Sequence, residues 1–150
     1  MAFNMTIAVL RDTTLDQIGV VAAEPLGFDA VTSAMEARMT GSQVGHDVVV
    51  VDPMAGLQAV EVAQRLGCQA YVVALSGVSD TYVIQATGPV ERLLVHQDGQ
   101  VVQDEGPALP GESALAGERY LEDGHLAVLA ALGAPISTLW DAPFVALSTG

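Results

Sequence analysis

The chain has 150 residues, of which 51% are hydrophobic and 15% charged, a composition that indicates one globular domain over residues 1–150 and excludes an intrinsically disordered protein. The formal net charge is −13, with five arginines and no lysine, which argues against direct binding to nucleic acid or to an acidic membrane and excludes catalysis by a lysine. No apolar run reaches the ~18 residues of a membrane helix, and the N-terminus lacks the cationic start of a signal peptide. The single cysteine, Cys68, excludes an internal disulfide. We therefore expect a cytoplasmic location.

The first segment of the chain predicts a strand followed by a helix. Residues Thr6 to Leu10 form a short apolar run that is typical of a central strand. Thr14 and Gln17 have the spacing of a capping box, in which each side chain binds the backbone N–H of the other residue. This spacing predicts a short helix that begins there and ends before Gly27.

A second helix and a buried strand are predicted next. Apolar residues recur at helical spacing over about 29–39, and Gly41 is expected to end this helix. Asp47 to Val51 is an apolar β-branched run, typical of a parallel strand buried on both faces, so a right-handed β-α-β crossover is expected. A further helix is predicted over Ala55 to Leu66, with Gly67 as its terminator.

The middle of the chain predicts an antiparallel meander. Three short runs rich in β-branched and aromatic residues span Tyr71 to Leu75, Thr81 to Thr87 and Val90 to His96. Asp98-Gly99 then separates the third run from residues 100–104. This dipeptide predicts a tight hairpin, because the turn needs positive φ and glycine adopts it without strain.

The C-terminal part predicts a loop, a helix and an edge strand. Glu105 to Gly117 contains two prolines and three glycines and is long enough to be a lid or an ordered coil. Asp123 is the expected N-cap of a helix over Gly124 to Leu132. Trp140 is expected to anchor the next turn, and Pro143 to Leu147 suits an edge strand.

These elements predict a single α/β domain of mixed α+β character, with two or three layers. Its mixed sheet of about five to seven strands has a parallel β-α-β half from Thr6 to Leu75 and an antiparallel half from Thr81 to Asp104.

Three residues form the candidate ligand site: Asp12, Asp52 and Ser76. Each follows or ends a predicted parallel strand, and open α/β sheets bind ligands at the carboxyl edge. Two carboxylates that met there could bind Mg²⁺ or Mn²⁺ through oxygen. The alternative is that Asp12 and Asp52 are turn and cap residues, which aspartate also favours.

No other pattern predicts a resident cofactor. His46, His96 and His125 have no metal-ligand spacing on one helix, and no HExxH or GxSxG motif is present. Cys68 is expected to be a small buried residue rather than a nucleophile.

The stretch DVVVVDPMAGLQAVEVAQRLG, followed by VVALSG, resembles the middle of a response-regulator receiver domain. The resemblance implies a phosphorylated aspartate at Asp52 and the strand-ending hydroxyl at Ser76. The lysine of that family has no counterpart in a chain without lysine, so the resemblance implies a degenerate receiver that signals by contact alone.

A second resemblance covers roughly residues 47–120. YVVALSGVSDTYVIQATG, followed by VERLLVHQDGQVVQDEGPALPGE, is similar to uncharacterised small actinobacterial proteins with a strand hairpin and an EGxxLPxE motif, here Glu105 to Glu112. It implies an α/β domain and no particular activity.

The leading functional hypothesis is a non-enzymatic cytoplasmic interaction module: a regulator, an accessory subunit, or an immunity-type inhibitor of a basic protein partner. It depends on the net charge of −13, the small size and the absence of a catalytic signature. The alternatives are a metal-dependent enzyme or small-ligand binder that uses Asp12 and Asp52, and the degenerate receiver.

Overall fold

The computed structural model describes residues 4–26, 39–52, 57–76, 80–109, 111–112, 121–133 and 142–147. Within these ranges the chain forms nine strands and three helices: β1 (Asn4–Leu10), α1 (Leu15–Ile18), β2 (Val20–Leu26), β3 (Thr40–Val44), β4 (Asp47–Val51), α2 (Leu57–Leu66), β5 (Ala70–Ser76), β6 (Thr81–Thr87), β7 (Arg92–Gln97), β8 (Gln100–Glu105), α3 (Leu121–Ala131) and β9 (Phe144–Leu147). None of these helices is long and apolar enough to cross a membrane.

The nine strands form one sheet in the order β2-β9-β3-β4-β1-β5-β6-β7-β8. Every neighbouring pair in this sheet is antiparallel. The predicted fold class, an α/β domain with a parallel β-α-β half, is therefore wrong. A receiver domain requires a parallel sheet, so the structure also contradicts the degenerate-receiver interpretation.

The reason for the error lies in β4. Val48, Val49 and Val50 are completely buried, as the apolar run predicted. However, burial on both faces follows from helices that cover both sides of the sheet, and it does not depend on strand direction. The direction is instead set by a tight turn at Gly45 and His46, which reverses the chain from β3 into β4.

The predicted meander is present. β5, β6, β7 and β8 pair consecutively and antiparallel. At the β7–β8 turn, Asp98 and Gly99 both have positive φ, 53° and 78°. Both central residues of a primed hairpin turn have this sign of φ, so the structure confirms the predicted hairpin.

Helices pack on both faces of the sheet and create two apolar cores. On one face α1 and α2 cover the centre of the sheet, and on the other face α3 covers β5 and β6. Full burial of a valine, leucine, isoleucine, methionine or phenylalanine side chain contributes about 1.5–3 kcal/mol to the free energy of unfolding. The core under α1 and α2 contains Ala8, Leu10, Ile18, Met39, Val48, Val50, Ala59, Val62, Ala63, Ala70, Val72 and Leu147; the core under α3 contains Ile7, Val9, Val49, Val51, Val73, Leu75, Tyr82, Ile84, Ala86, Leu94, Leu109, Val128, Leu129, Leu132 and Phe144.

Several predicted boundaries are wrong. The capping box of Thr14 and Gln17 is present, but α1 ends at Ile18 and β2 takes the place of its predicted continuation. Gly41 lies inside β3 rather than at the end of a helix. Asp123 lies within α3, not at its N-cap. The predicted helix over 29–38, Trp140, and residues 110 and 113–117 of the predicted loop lie outside the described residues.

One region of the sheet has no described helix over it on the α2 side. On the α2 side, α2 contacts β1, β5 and β6, and no described helix covers β7 or β8. Leu93 and Val95 on this face of β7 are half-buried, and every residue of β8 is exposed. β8 is also an end strand of the sheet, so the β7–β8 end combines an open edge with a face that no described helix covers.

Candidate functional site

The structure separates the two carboxylates of the predicted ligand site. β1 and β4 are antiparallel, so the end of β1 lies beside the start of β4. Asp12 and Asp52, which follow these two strands, therefore lie at opposite ends of the strands. The Asp12 N–H donates to Asp47 Oδ1 (3.0 Å) at one end, and the Asp52 N–H donates to the Thr6 carbonyl (3.0 Å) at the other. Thr6 and Asp12 are six residues apart along an extended segment, which is roughly 20 Å. A cation bound at ~2 Å from each ligand cannot join these carboxylates.

Asp12 and Asp52 instead have the local roles of turn and cap residues. Asp12 is exposed and has a φ of 49°, a conformation that aspartate tolerates in turns. Asp52 is 1% exposed, and its Oδ2 accepts the backbone N–H of Ala59 (2.9 Å) in the first turn of α2. Its Oδ1 accepts from Gln58 Nε2 (3.2 Å). A carboxylate at a helix N-terminus is stabilised by the otherwise unpaired N–H groups.

Ser76 lies at the same end of the strands as Asp52 but not beside it. Ser76 is the last residue of β5 and pairs with Asn4 of β1. Asp52 follows β4, and β1 lies between β4 and β5 in the sheet. Two strand spacings place them about 10 Å apart or more. The structure therefore does not bring the three predicted residues together as one site.

The three histidines have different environments. His46 is exposed, whereas His96 on β7 and His125 on α3 are 7% and 0% exposed. The rings of His96 and His125 are edge-on with centroids 5.4 Å apart, and Tyr82 lies 5.3 Å from His125. These rings form an aromatic part of the core. The described residues hold no group of three or more His, Cys, Asp or Glu side chains placed to bind a metal ion.

Arg92 forms the main charged cluster, which sequence reasoning missed. Its side chain is 5% exposed and pairs with Glu112, which is 9% exposed, and with Asp104, which is 60% exposed. The guanidinium Nε and Nη2 donate to the two carboxylate oxygens of Glu112 at 3.0 and 2.6 Å, and Nη1 donates to Asp104 and to the carbonyls of Glu105 (3.2 Å) and Gly106 (3.1 Å). Arg92 therefore fastens the segment after β8 to β7.

The charges of this cluster stabilise each other. Hydrogen bonding to Glu112 raises the pKa of Arg92 and outweighs the cost of its burial. Burial raises the pKa of Glu112, but hydrogen bonds from Arg92 and from the Leu109 N–H outweigh it, so the pKa of Glu112 lies below its ordinary value. Glu112 ends the EGxxLPxE motif, which gives that motif a structural role. The signal in the sequence is an arginine on the inward face of β7, in line with Leu94 and His96.

β8, one of the two edge strands of the sheet, is the candidate functional site. Val101 and Val102 are 54% and 57% exposed, and β8 contains neither proline nor lysine. β8 pairs only with β7 among the described strands. The backbone groups on the far side of an edge strand are available to pair with another chain, and proteins commonly block such edges with proline or lysine.

The surroundings of β8 are acidic. Exposed carboxylates lie at both ends of the β7–β8 hairpin and at the turn before β6. Over residues 80–109, all of which the structure describes, the only lysine or arginine is Arg92, and its charge is paired. The β8 edge is therefore a negatively charged surface. Its carboxylates belong to Asp80, Glu91, Asp98, Asp104 and Glu105.

A cavity of about 400 Å³ lies beside this edge, between α2 and strands β6 to β8. Its size falls within the range of small-ligand sites. The described lining includes the apolar residues Val60 and Leu93 and the acidic residues Glu91 and Glu105. The remaining lining residues are Gln64, Gln85, Ala86, Thr87, Arg92 and Gly106.

A second cavity, of about 620 Å³, lies at the turn after β1 and includes Asp12. Asp52 and Ser76 are not among its lining residues, so it does not restore the predicted ligand site. The lining residues are Asp12, Thr14, Leu15, Asp16, Gln43, Gly45 and His46.

Comparison of the chain with protein-family models, curated proteins and solved structures finds no match.

Proposed function

We propose that the chain is a non-enzymatic, cytoplasmic protein-interaction module that binds a basic partner, as a regulator, an accessory subunit or an immunity-type inhibitor. The observation that carries the proposal is β8, a fully exposed edge strand without proline or lysine in an acidic surface. A monomer whose edge had no function would be open to uncontrolled edge-to-edge pairing.

Charge selects the kind of partner. The formal net charge is −13, so two copies of this chain repel each other over several ångströms. The chain and a nucleic acid repel each other for the same reason. A basic protein surface is attracted, and this attraction speeds its association.

The enzymatic alternative loses its geometric basis. A metal-dependent reaction at Asp12 and Asp52 needs the two carboxylates at one site, and they lie at opposite ends of the strands. Asp52 is also engaged by the backbone of α2. The geometry therefore favours an interaction module over a metal-dependent enzyme.

The test is purification of the tagged protein from its own host at low salt, followed by binding measurements with the co-purified partner. The first variant combines Glu91→Gln, Asp98→Asn and Glu105→Gln, which removes three charges around β8. A matched variant combines Asp12→Asn, Asp16→Asn and Glu61→Gln, which removes three exposed charges elsewhere.

We expect the partner to bind the wild type and the matched variant, to lose affinity for the first variant, and to dissociate at high salt. Asparagine fits the positive φ at position 12 and position 98, so both variants should fold. Equal affinity for the two variants, or turnover of a substrate by the pure protein at an enzymatic rate, would contradict the proposal.

A further inference from the structure

We infer that β8 binds an extended segment of its partner by strand addition, and that the cavity of about 400 Å³ beside β8 receives one long cationic side chain of that segment. The inference deepens the proposed function and rests on it.

The register of the sheet leads directly to the cavity. Gln85 pairs with Leu93, and Leu93 pairs with Glu105, so these three residues form one row across β6, β7 and β8. Cross-strand partners share a face of the sheet, and all three residues line the cavity. A strand added outside β8 would extend this row by one residue, next to Glu105.

Distance favours a long side chain at that position. Neighbouring strands lie about 4.8 Å apart, so a residue on the added strand is about 4.8 Å from Glu105 and about 9.6 Å from Leu93. A short side chain would end above Glu105. The stem of an arginine or lysine can pass along Glu105 and cover part of Leu93, which is half-buried.

The chemistry of the lining favours a cation. The acidic residues Glu91 and Glu105 are both exposed and line the cavity. Among the described lining residues Arg92 is the only cationic one, and its charge is already paired with Asp104 and Glu112. An arriving cation would therefore find two carboxylates and an apolar wall formed by Val60 and Leu93. A second copy of the chain would instead bring its own acidic edge against this one.

The test begins with a library of random twelve-residue peptides displayed on phage and selected on the wild-type protein at low salt. We expect enriched peptides to have β-branched residues alternating with other residues and an arginine or lysine at one fixed position. An enriched peptide is then synthesised in two N-methylated forms, one methylated at odd positions and the other at even positions.

Strand addition predicts that one N-methylated form loses binding and the other retains it, because only alternate N–H groups face β8. Equal effects of the two forms, or no enrichment of basic extended peptides, would overturn the inference. So would a wild-type protein that forms dimers through β8.

The cavity is tested by replacing the fixed arginine of the peptide with citrulline, its neutral isostere. On the wild type we expect affinity to fall about fivefold. On Glu105→Gln the replacement should have much less effect, whereas Asp16→Asn, at an exposed position of α1, should leave the full effect of citrulline intact. Identical effects on all three proteins would remove the cavity from the inference.

Failure of this inference is distinguishable from failure of the proposed function. If the host partner depends on the charges around β8 but the selected peptides show no alternation, the partner binds by side chains and the strand-addition mode is wrong. If the host partner ignores those charges, the proposed function is wrong as well.

Discussion

Arg92 and Glu112 are 20 residues apart in the chain and form a two-pronged ion pair in the structure, with nitrogen–oxygen distances of 3.0 and 2.6 Å. Both side chains are nearly buried, at 5% and 9% exposure. This pair joins β7 to the segment that follows β8, and so holds the candidate binding edge in place.

Replacement of Arg92 by alanine should therefore destabilise the protein strongly. Loss of one partner leaves the Glu112 carboxylate buried and uncompensated, which typically costs about 3–5 kcal/mol. The measurement is urea unfolding of the variant and the wild type. Asp104→Asn is the control, because Asp104 is 60% exposed and its loss should cost only about 0–1 kcal/mol. Equal costs for the two variants would contradict a buried role for the Arg92–Glu112 pair.

Stability should fall in acid as Glu112 takes up a proton. The pKa of Glu112 is lower in the folded protein than its ordinary value, so the folded state favours the carboxylate. Its contribution is present above the unfolded pKa of about 4.3 and is lost as the pH falls through the folded pKa. The measurement is the melting temperature from pH 6 to pH 3.

Glu112→Gln should flatten this acid dependence, whereas Glu61→Gln, at an exposed position of α2, should leave it unchanged. Comparison with that control separates Glu112 from the general relief of charge repulsion on protonation. Parallel curves for all three proteins would show that Glu112 makes no such contribution.

Asp52→Ala should destabilise the protein without affecting any metal binding. The carboxylate accepts the Ala59 N–H at the start of α2, and loss of such a cap costs about 0.5–2 kcal/mol. Asp12→Asn should be close to neutral, since Asp12 is an exposed turn residue. Thermal unfolding measures both, and Mg²⁺ titration by calorimetry should give no saturable heat for the wild type. A saturable signal that disappears in Asp52→Asn would contradict the assignment of Asp52 as a cap.

Gly41→Ala tests the order of the strands. A Cβ at Gly41 would lie 2.6 Å from Leu147 Cδ1 on β9 and 3.1 Å from Val50 Cγ1 on β4. Leu147 is 1% exposed and has little room to move, so this overpacking should cost about 1–3 kcal/mol.

Ser42→Ala, on the same strand, is the control. The Ser42 hydroxyl is buried and makes no hydrogen bond among the described residues, so its removal should be nearly neutral. Urea unfolding measures both variants. If Gly41→Ala were as stable as the wild type, the packing of β3 between β9 and β4 would be wrong.

Local signals in the sequence were predictive because their physical cause is local. The capping box at Thr14 and the turn at Asp98-Gly99 depend on bonds and dihedral angles within four residues. The apolar run of β4 correctly predicted burial, but the partner and direction of a strand depend on distant segments. Burial alone cannot distinguish an antiparallel sheet with helices on both faces from a parallel one.

The missed elements carry weak or misleading patterns. β2 lies where the sequence predicted a helix that ends before Gly27, and β3 (TGSQV) has almost no apolar character. The role of Arg92 could not be predicted from its neighbours, because its partners Asp104 and Glu112 are 12 and 20 residues away. The structure does not bring Asp12 and Asp52 together for the same reason: the two residues would lie at the same end of the strands only if β1 and β4 were parallel.

The position of β9 in the sheet has a consequence for protein synthesis. β9 is the last of the nine strands to leave the ribosome, and it inserts between β2 and β3, which are made much earlier. Among the described strands β2 pairs only with β9, so it has no place in the sheet until β9 has been synthesised. Such distant pairing is slow, and the waiting segment is open to aggregation. The strand order therefore predicts that β2 stays unpaired during synthesis until β9 is made.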